Sequence, residues 1–443
     1  MTKRIPGPAG HPLLGNLNAM RQDFLQFLVA TTREFGTVTQ VRAGPSRMIL
    51  LANPEDIAEV LVKQADVFHK TRSTKKLLAP LLGDGLITLE HDRHRQHRRM
   101  MQPAFHTRQV QHYTDSILRL TQTWIQQRTT GETLDIVPAL ATFMLNIVIE
   151  TFFSATLAET EQERIALQTF SKALDLRVRS PIPLPRWLPT EHNRILNHAI
   201  ATLNNVVYRL IAERRQQPGT RYDLLGGLLT EQDAENGQFL SDTEIRDEIA
   251  TIFFAGYETT TTTLSWLIYL LATHPHVREQ LQAEITQTLN GNAPTSETLK
   301  AMPFLQQVIK EALRLYPAAW LFDREPIQAV TIGGYNIAAG QTIFISPYVV
   351  QRHPDYFAAP DDFLPGRFTP EFEKHLPRFA YFPFGGGPRI CIGQPFAQHT
   401  IALILATLLP QLTWDILPNQ VIRPAAAATL VPANGIHLRI QRL

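Results

Sequence analysis

The sequence predicts a mainly α-helical protein with small β-sheets, organised as one domain over residues 1–443. Three observations carry that expectation. Apolar residues recur at amphipathic-helix spacing through most of residues 107–325; stretches that alternate like short strands are confined to about 37–52 and 326–346; and no repeat of solenoid length divides the chain into modules. At 443 residues and 44% hydrophobic content there is ample material for a large core. The charge is nearly balanced, 42 basic against 40 acidic side chains for a net of +2, which argues against a nucleic-acid-binding protein.

Taken in order, MTKRIPGPAGHPLLGNLNAM has the Pro and Gly spacing of a stiff, extended entry segment. It carries neither a secretory pattern nor an apolar anchor, so a cytoplasmic protein without a membrane anchor is expected. GTVTQVRAGPSRMILLA reads as a hairpin around Gly-Pro-Ser, and NPEDIAEVLVKQ as a helix entered at Asn53 with Pro54 in its first turn. EHDRHRQHRRMMQPAFH is the most basic stretch. Its His91, His94 and His97 lack the i, i+4 spacing of helix-borne zinc sites, and a solvated basic face is the plain reading. Pro181, Pro183, Pro185 and Pro189 forbid a continuous helix across RSPIPLPRWLPTEHN and demand a loop, either a stiff connector or a mobile lid.

IATIFFAGYETTTTTLSWLIYLLAT is long enough to consider as a membrane span, but Glu258 and the threonine run at its middle mark it as a buried core helix. Ser241 and Glu244 form a capping box at its start, and the pattern runs to about His274-Pro275. The centre is poorly chosen for helix stability, since Gly256 costs about 1 kcal/mol relative to alanine and each threonine loses χ1 freedom. Threonine hydroxyls can instead bond to the carbonyl one turn back and bend the helix, with Gly256 leaving room above, which makes a polar niche. KEALRLYP then puts Glu311 and Arg314 on one helix face, and AVTIGGYNI and GQTIFISPY supply short strands before Pro-rich irregular chain.

FPFGGGPRICIG, residues 382–393, holds the only cysteine. A lone Cys391 cannot form an intrachain disulfide, so it is a ligand, a nucleophile or inert packing. Either active role needs a thiolate, with the pKa held below its usual ~8.5 by positive potential. Arg389 and a helix start marked by Pro395 supply that potential, and Gly385, Gly386 and Gly387 let backbone approach closely. A phosphate-binding loop is a rival, but the Lys-Ser/Thr pair is missing and Pro388 removes a donor. A cysteine-nucleophile hydrolase would need a histidine base, and the nearest in sequence is His399.

FGGGPRICIG resembles the cysteine-ligand signature of the cytochrome P-450 heme-thiolate family in Phe384, Gly387, Arg389, Cys391 and Gly393 at fixed spacing. The resemblance implies that family's fold, with a long central helix over the heme, and heme b (iron protoporphyrin IX) as cofactor. It implies Cys391 as the axial metal ligand, Phe384 packed beside the sulfur and Arg389 paired with a heme propionate. AGYETT resembles the family's oxygen-activation motif, which implies Ala255 and Gly256 against the heme face and Glu258 and Thr259 as the catalytic acid–alcohol pair relaying protons, with Tyr257 facing elsewhere. Glu311 and Arg314, with Arg367 of PGRF, resemble the family's structural ion triad; Gly366 stands where an acidic residue is commoner. Where the family has Trp-x-x-x-Arg, this chain has His94 and Arg98, implied to meet the propionates together with Arg324 of WLFDREP. Arg95 and Arg99 are left to face an acidic electron donor.

By the same resemblance, residues 68–90, the central helix, AAWLF after Pro317 and the turn at Thr429, Leu430 and Val431 line an apolar pocket, with Arg72, Lys75 and Lys76 as either a carboxylate anchor or solvated charge. The implied activity is a monooxygenase that inserts one atom of O2 into a hydrophobic small molecule such as a fatty acid, terpenoid, retinoid or steroid. The short stretch beyond Cys391 leaves no room for a fused reductase, so electrons are expected from a ferredoxin or flavodoxin with its reductase. The alternatives are a peroxide-driven peroxygenase and a non-catalytic heme-binding sensor or carrier.

Overall fold

The computed structural model describes residues 4–155, 169, 187–216 and 223–443. Of the proline-rich loop, Pro181, Pro183 and Pro185 lie outside the described residues, and Pro189 precedes the helix Glu191–Gln216. Backbone contacts gather the chain into two compact units. The first comprises Met1–Lys75, Lys310–Cys391 and Pro424–Val431; the second comprises Lys76–Ile309, Ile392–Arg423 and Pro432–Leu443.

The first unit is built on a sheet. Val38–Ala43 and Ser46–Leu51 pair antiparallel with Val38 opposite Leu51, the hairpin expected from alternation about the Gly-Pro-Ser turn. Ser46–Leu51 then accepts Thr342–Ile345 in parallel, and Phe322–Pro326 and Phe68–His69 follow antiparallel. Ile49, Leu51, Ile343 and Ile345 share one face and Leu50 points to the other; all are buried in one core with Leu25 and Leu28 of the helix Phe24–Phe35. Asp23 caps that helix by accepting from the Gln26 N–H at 3.0 Å. Asn53 caps Pro54–Ala58 through the Glu55 N–H at 2.8 Å, with the proline at the position where a missing donor costs nothing.

Two expected boundaries are corrected here. The helical bulk stops at Leu315 rather than 325, because Phe322–Pro326 finds its backbone partners along Thr342–Ile345 and buries alternate residues, Arg324 and Pro326. Helix also begins well before residue 107, with Phe24–Phe35, Arg72–Leu82 and His91–Met101.

The second unit is mainly helical. Its longest element, Asp242–Thr273, starts with the anticipated capping box: Ser241 Oγ accepts from the Glu244 N–H at 3.3 Å, and Glu244 Oε2 accepts from the Ser241 N–H at 2.8 Å. It runs unbroken through the threonine tract. Ile136–Phe153 packs along it, with the rings of Phe153 and Phe253 at 4.9 Å. Ile136–Phe153 is the one helix among the described residues long and apolar enough to cross a membrane, and 61% of it is buried inside the fold. A three-stranded sheet of Thr133–Asp135, His437–Arg442 and Leu412–Ile416 adds strands outside the two regions read from alternation. Trp414 ties that sheet to the long helix by donating its indole N–H to the Ile268 carbonyl at 3.0 Å.

Candidate active site

Residues 245–268 of the long helix are buried except for Phe254, Ala255, Gly256, Glu258 and Thr259. In the middle of a core helix this is a local window in which an apolar surface adjoins a carboxyl and a hydroxyl. Tyr257, one position round the helix, is buried at 4% exposure and faces away, as its place in the helical period requires.

Three threonines of the tract bond back within the helix, whereas the buried Thr261 hydroxyl finds no partner among the described residues. Thr259 Oγ1 donates to the Ala255 carbonyl at 2.7 Å, Thr260 to Gly256 at 3.0 Å and Thr263 to Thr259 at 2.9 Å. This is the back-bonding that makes threonine tolerable inside a helix. At Gly256 a Cβ would meet Val148 Cγ2 at 3.4 Å and its other methyl carbon at 3.8 Å, ordinary contact. Protein packing therefore does not demand glycine at this position.

Cys391 lies in the first unit and is exposed, so its thiol is not the inert core packing that a solitary cysteine usually provides. Its backbone N–H donates to the Phe384 carbonyl at 2.9 Å, closing the loop that begins at Phe382. Gly387 has φ +69°, and a Cβ there would run into the Leu61 carbonyl; at Gly386 a Cβ would run into the Phe379 ring. The loop is thus wedged against its own unit through backbone. Phe384 and Arg389 are half-buried beside the cysteine, and Gly393 is the residue that caps the helix Gln394–Leu408, with Pro395 in its first turn. His399, the base a hydrolase would need, is engaged in the second unit, its Nε2 2.9 Å from Thr114 Oγ1.

Glu311, Arg314 and Arg367 come together as a buried cluster in the first unit. Arg314 donates Nε to Glu311 Oε2 at 2.7 Å and Nη2 to Oε1 at 2.9 Å, and Arg367 Nε reaches the same Oε1 at 3.0 Å. The remaining Arg314 N–H groups go to the carbonyls of Gln351, Pro360 and Asp362 at 2.9, 2.6 and 3.0 Å. Gln351 extends the network: its amide N–H groups donate to the Leu313 and Arg314 carbonyls at 3.0 and 3.1 Å, and its Oε1 accepts from the Phe382 N–H at 2.9 Å. The cluster therefore reaches the first residue of the cysteine loop. Arg324 is 8% exposed on its strand. In the second unit, His94 is buried at 5% exposure and Arg98 half-buried one turn on in His91–Met101.

Several expectations do not hold. Arg99 is not left over for a protein partner, because its Nη2 pairs with Asp233 Oδ1 and Glu235 Oε2, each at 2.9 Å, and the fully buried Asp233 needs that cation. Arg95 meets Asp92 in an exposed pair, both side chains more than half exposed, so unlike Arg99 it still presents its charge to solvent. Trp320 of AAWLF does not line a pocket: it is buried edge-on to Phe24 at 5.7 Å and donates to the Ala427 carbonyl at 2.9 Å. Thr429 and Leu430 are buried as well, the Leu430 N–H donating to the Ala318 carbonyl at 3.0 Å. Arg72, Lys75 and Lys76 are exposed, as solvated charge would be.

One constellation has no signature in the sequence. His97 and Glu248, both without exposed side-chain surface, meet at 2.6 Å between Nδ1 and Oε1 in the second unit. Burial raises the Glu248 pKa, opposed in part by the hydrogen bond from His97.

Compared with proteins of known structure, the chain superposes with a TM-score of 0.90 on one described as the crystal structure of cytochrome P450DA heme domain, at 28% identity, covering 100% of this chain and 98% of the other. Fold and relatives define a heme-dependent monooxygenase. The family model described as Cytochrome P-450 matches residues 5–439, and the chain belongs to the cytochrome P-450 family. Among its curated relatives are Cyclooctatin synthase of Streptomyces melanosporofaciens, 34% identical over 96% of this chain and 92% of the relative, and Pentalenene oxygenase of Streptomyces avermitilis, 32% identical over 98% and 96%. Within the first unit the residues present fit a heme: an accessible thiol on a backbone-wedged loop, with guanidinium groups at Arg324 and Arg389 in the same unit.

Proposed function

We propose that the protein is an O2-dependent monooxygenase acting on a hydrophobic small molecule, most closely a terpenoid, in which the Cys391 thiolate would hold the iron of heme b. The observation that carries this reading is the window at Phe254, Ala255, Gly256, Glu258 and Thr259 in an otherwise buried helix. Such a window offers an apolar contact surface and a proton source together. Relatives named for acting on cyclooctat-9-en-7-ol and pentalenene support the choice of substrate class over fatty acids, retinoids and steroids.

Heme, when bound, supplies the iron at which O2 is reduced and split. The protein groups have separate tasks. Arg389, Arg324, Arg98 and His94 would bind the propionates, and Phe384, Gly387 and Gly393 would shape the loop that presents the sulfur. The Thr259 hydroxyl donates its hydrogen bond to the Ala255 carbonyl at 2.7 Å, so proton delivery would require it to exchange that bond for one outward, with Glu258 replenishing the proton. Electrons come from a ferredoxin or flavodoxin with its reductase, the whole chain acts as one domain, and the enzyme works in the cytoplasm.

The test is the absorption spectrum of the reduced carbon monoxide complex, followed by titration with terpene hydrocarbons and with fatty acids for a substrate-induced spin shift. A Soret band far to the red of imidazole-ligated heme and a shift with terpenes are expected; a band at the ordinary position rejects the reading. Gly256→Ala separates packing from chemistry. Urea unfolding should show stability unchanged or raised by up to about 1 kcal/mol, while product formed per O2 consumed falls, because the added methyl occupies the window.

A further inference from the structure

The long helix uses two carboxylates to hold one distant loop. Asp247 Oδ2 accepts from the Asp84 N–H at 2.8 Å, and Glu248 Oε2 accepts from the Leu86 N–H at 3.0 Å. The loop is closed on itself by Thr88, whose hydroxyl reaches the Gly83 and Gly85 carbonyls at 2.7 and 3.0 Å. It lies flat on the helix only because two of its residues have no side chain. A Cβ at Gly83, where φ is +59°, would collide with the Asp247 carboxylate, and one at Gly85 would collide with Thr251 Oγ1. Asp247 is itself pinned by Arg246 Nη1 at 2.8 Å, and Arg246 Nε donates to Asn204 Oδ1 at 2.6 Å.

Glu248 does a second job with its other oxygen, 2.6 Å from His97 Nδ1 on His91–Met101, the helix that also carries His94 and Arg98. Neither side chain has exposed surface. Burying a carboxylate with a single ring as counter-group is a poor route to stability, since an apolar residue of the same volume usually does as well. What an apolar residue could not do is fix a backbone N–H and an imidazole at once. Within the loop, Leu86, Thr88 and Leu89 are buried, and Ile87 keeps an accessible apolar side chain.

We infer that Asp247 and Glu248 are positioning residues for the substrate: they set the place of residues 83–88, and with them the apolar surface at Ile87, while Glu248 locks His91–Met101 to the same helix through His97. The role in substrate binding rests on the oxygenase reading above; the clamp itself does not.

The test uses heme-loaded wild type, Glu248→Met, Glu248→Gln and Asp247→Asn. Methionine fills a similar volume and removes both acceptors without leaving a buried charge; glutamine keeps one acceptor and serves if the methionine variant does not fold. Amide hydrogen exchange in peptides covering 83–89 should be about tenfold faster or more in Glu248→Met, and less affected in Glu248→Gln and Asp247→Asn, each of which keeps one acceptor. Two azoles then separate positioning from general loosening. Affinity for 4-phenylimidazole should fall about tenfold, while that for imidazole, which needs no apolar wall, stays within about twofold. Unchanged exchange overturns the clamp, and equal weakening of both azoles overturns its role in positioning. Loss of the red-shifted carbon monoxide band in wild type would instead defeat the oxygenase reading, with hydrogen exchange still deciding the clamp.

Discussion

Cys391→Ser is expected to give a folded protein without the red-shifted band of the reduced carbon monoxide complex, and with product formation lowered by well over about a hundredfold. The magnitude follows from comparison: loss of a group that merely supports a metal ligand costs about 10–100-fold in affinity or activity, and here the ligand itself would go. Stability of the heme-free protein should hardly change, because the side chain is exposed and serine differs from it by one atom; a shift within about 0.5 kcal/mol is expected in chemical unfolding. The two measurements must therefore diverge. If the serine variant keeps the band and turns over normally, the sulfur is not the ligand.

Glu311→Gln should do the opposite, damaging the fold before any chemistry. The carboxylate accepts from Arg314, Arg367 and the Leu364 N–H, and neither it nor Arg314 has exposed side-chain surface. Removing that charge leaves a buried guanidinium without its counter-ion, and breaking a buried pair in this way costs about 3–5 kcal/mol. Since Arg314 also holds the Gln351, Pro360 and Asp362 carbonyls, and Gln351 holds the Phe382 N–H, the loss should extend to the cysteine loop. Urea unfolding and heme content per chain check this together. A loss below about 1 kcal/mol with full heme content would show that the carbonyl network holds the loop unaided.

Features set by neighbours in the chain were legible. The capping box at Ser241, the Asn53 cap with Pro54 and the loop ahead of Pro395 each satisfy backbone groups a few residues away, so residue type and spacing suffice to place them. Features set by distant chain were not. Phe322–Pro326 contains a charged triplet that nothing local marks as a strand; it becomes one because Thr342–Ile345 offers an edge. Arg99 reads as a free surface charge until Asp233 is brought beside it, and His97 reads as part of a basic face until Glu248 meets it from 151 residues away. In both cases a buried carboxylate decides the outcome, and its burial is a property of packing. The departure at His94 belongs to the same class: the sequence marks the substitution, and only the fold reveals that the imidazole is buried.

The unit that carries the thiol is drawn from three separated stretches, Met1–Lys75, Lys310–Cys391 and Pro424–Val431. On the ribosome its opening stretch must wait while residues 76–309 are made, roughly 10–50 s at about 5–20 residues per second. Throughout that interval Ser46–Leu51 has its hairpin neighbour but not Thr342–Ile345, leaving the edge of an apolar strand without its final neighbour. Nascent chains of this protein are consequently most vulnerable to sticking to one another before the last quarter is translated, and slow synthesis without a chaperone lengthens the hazard.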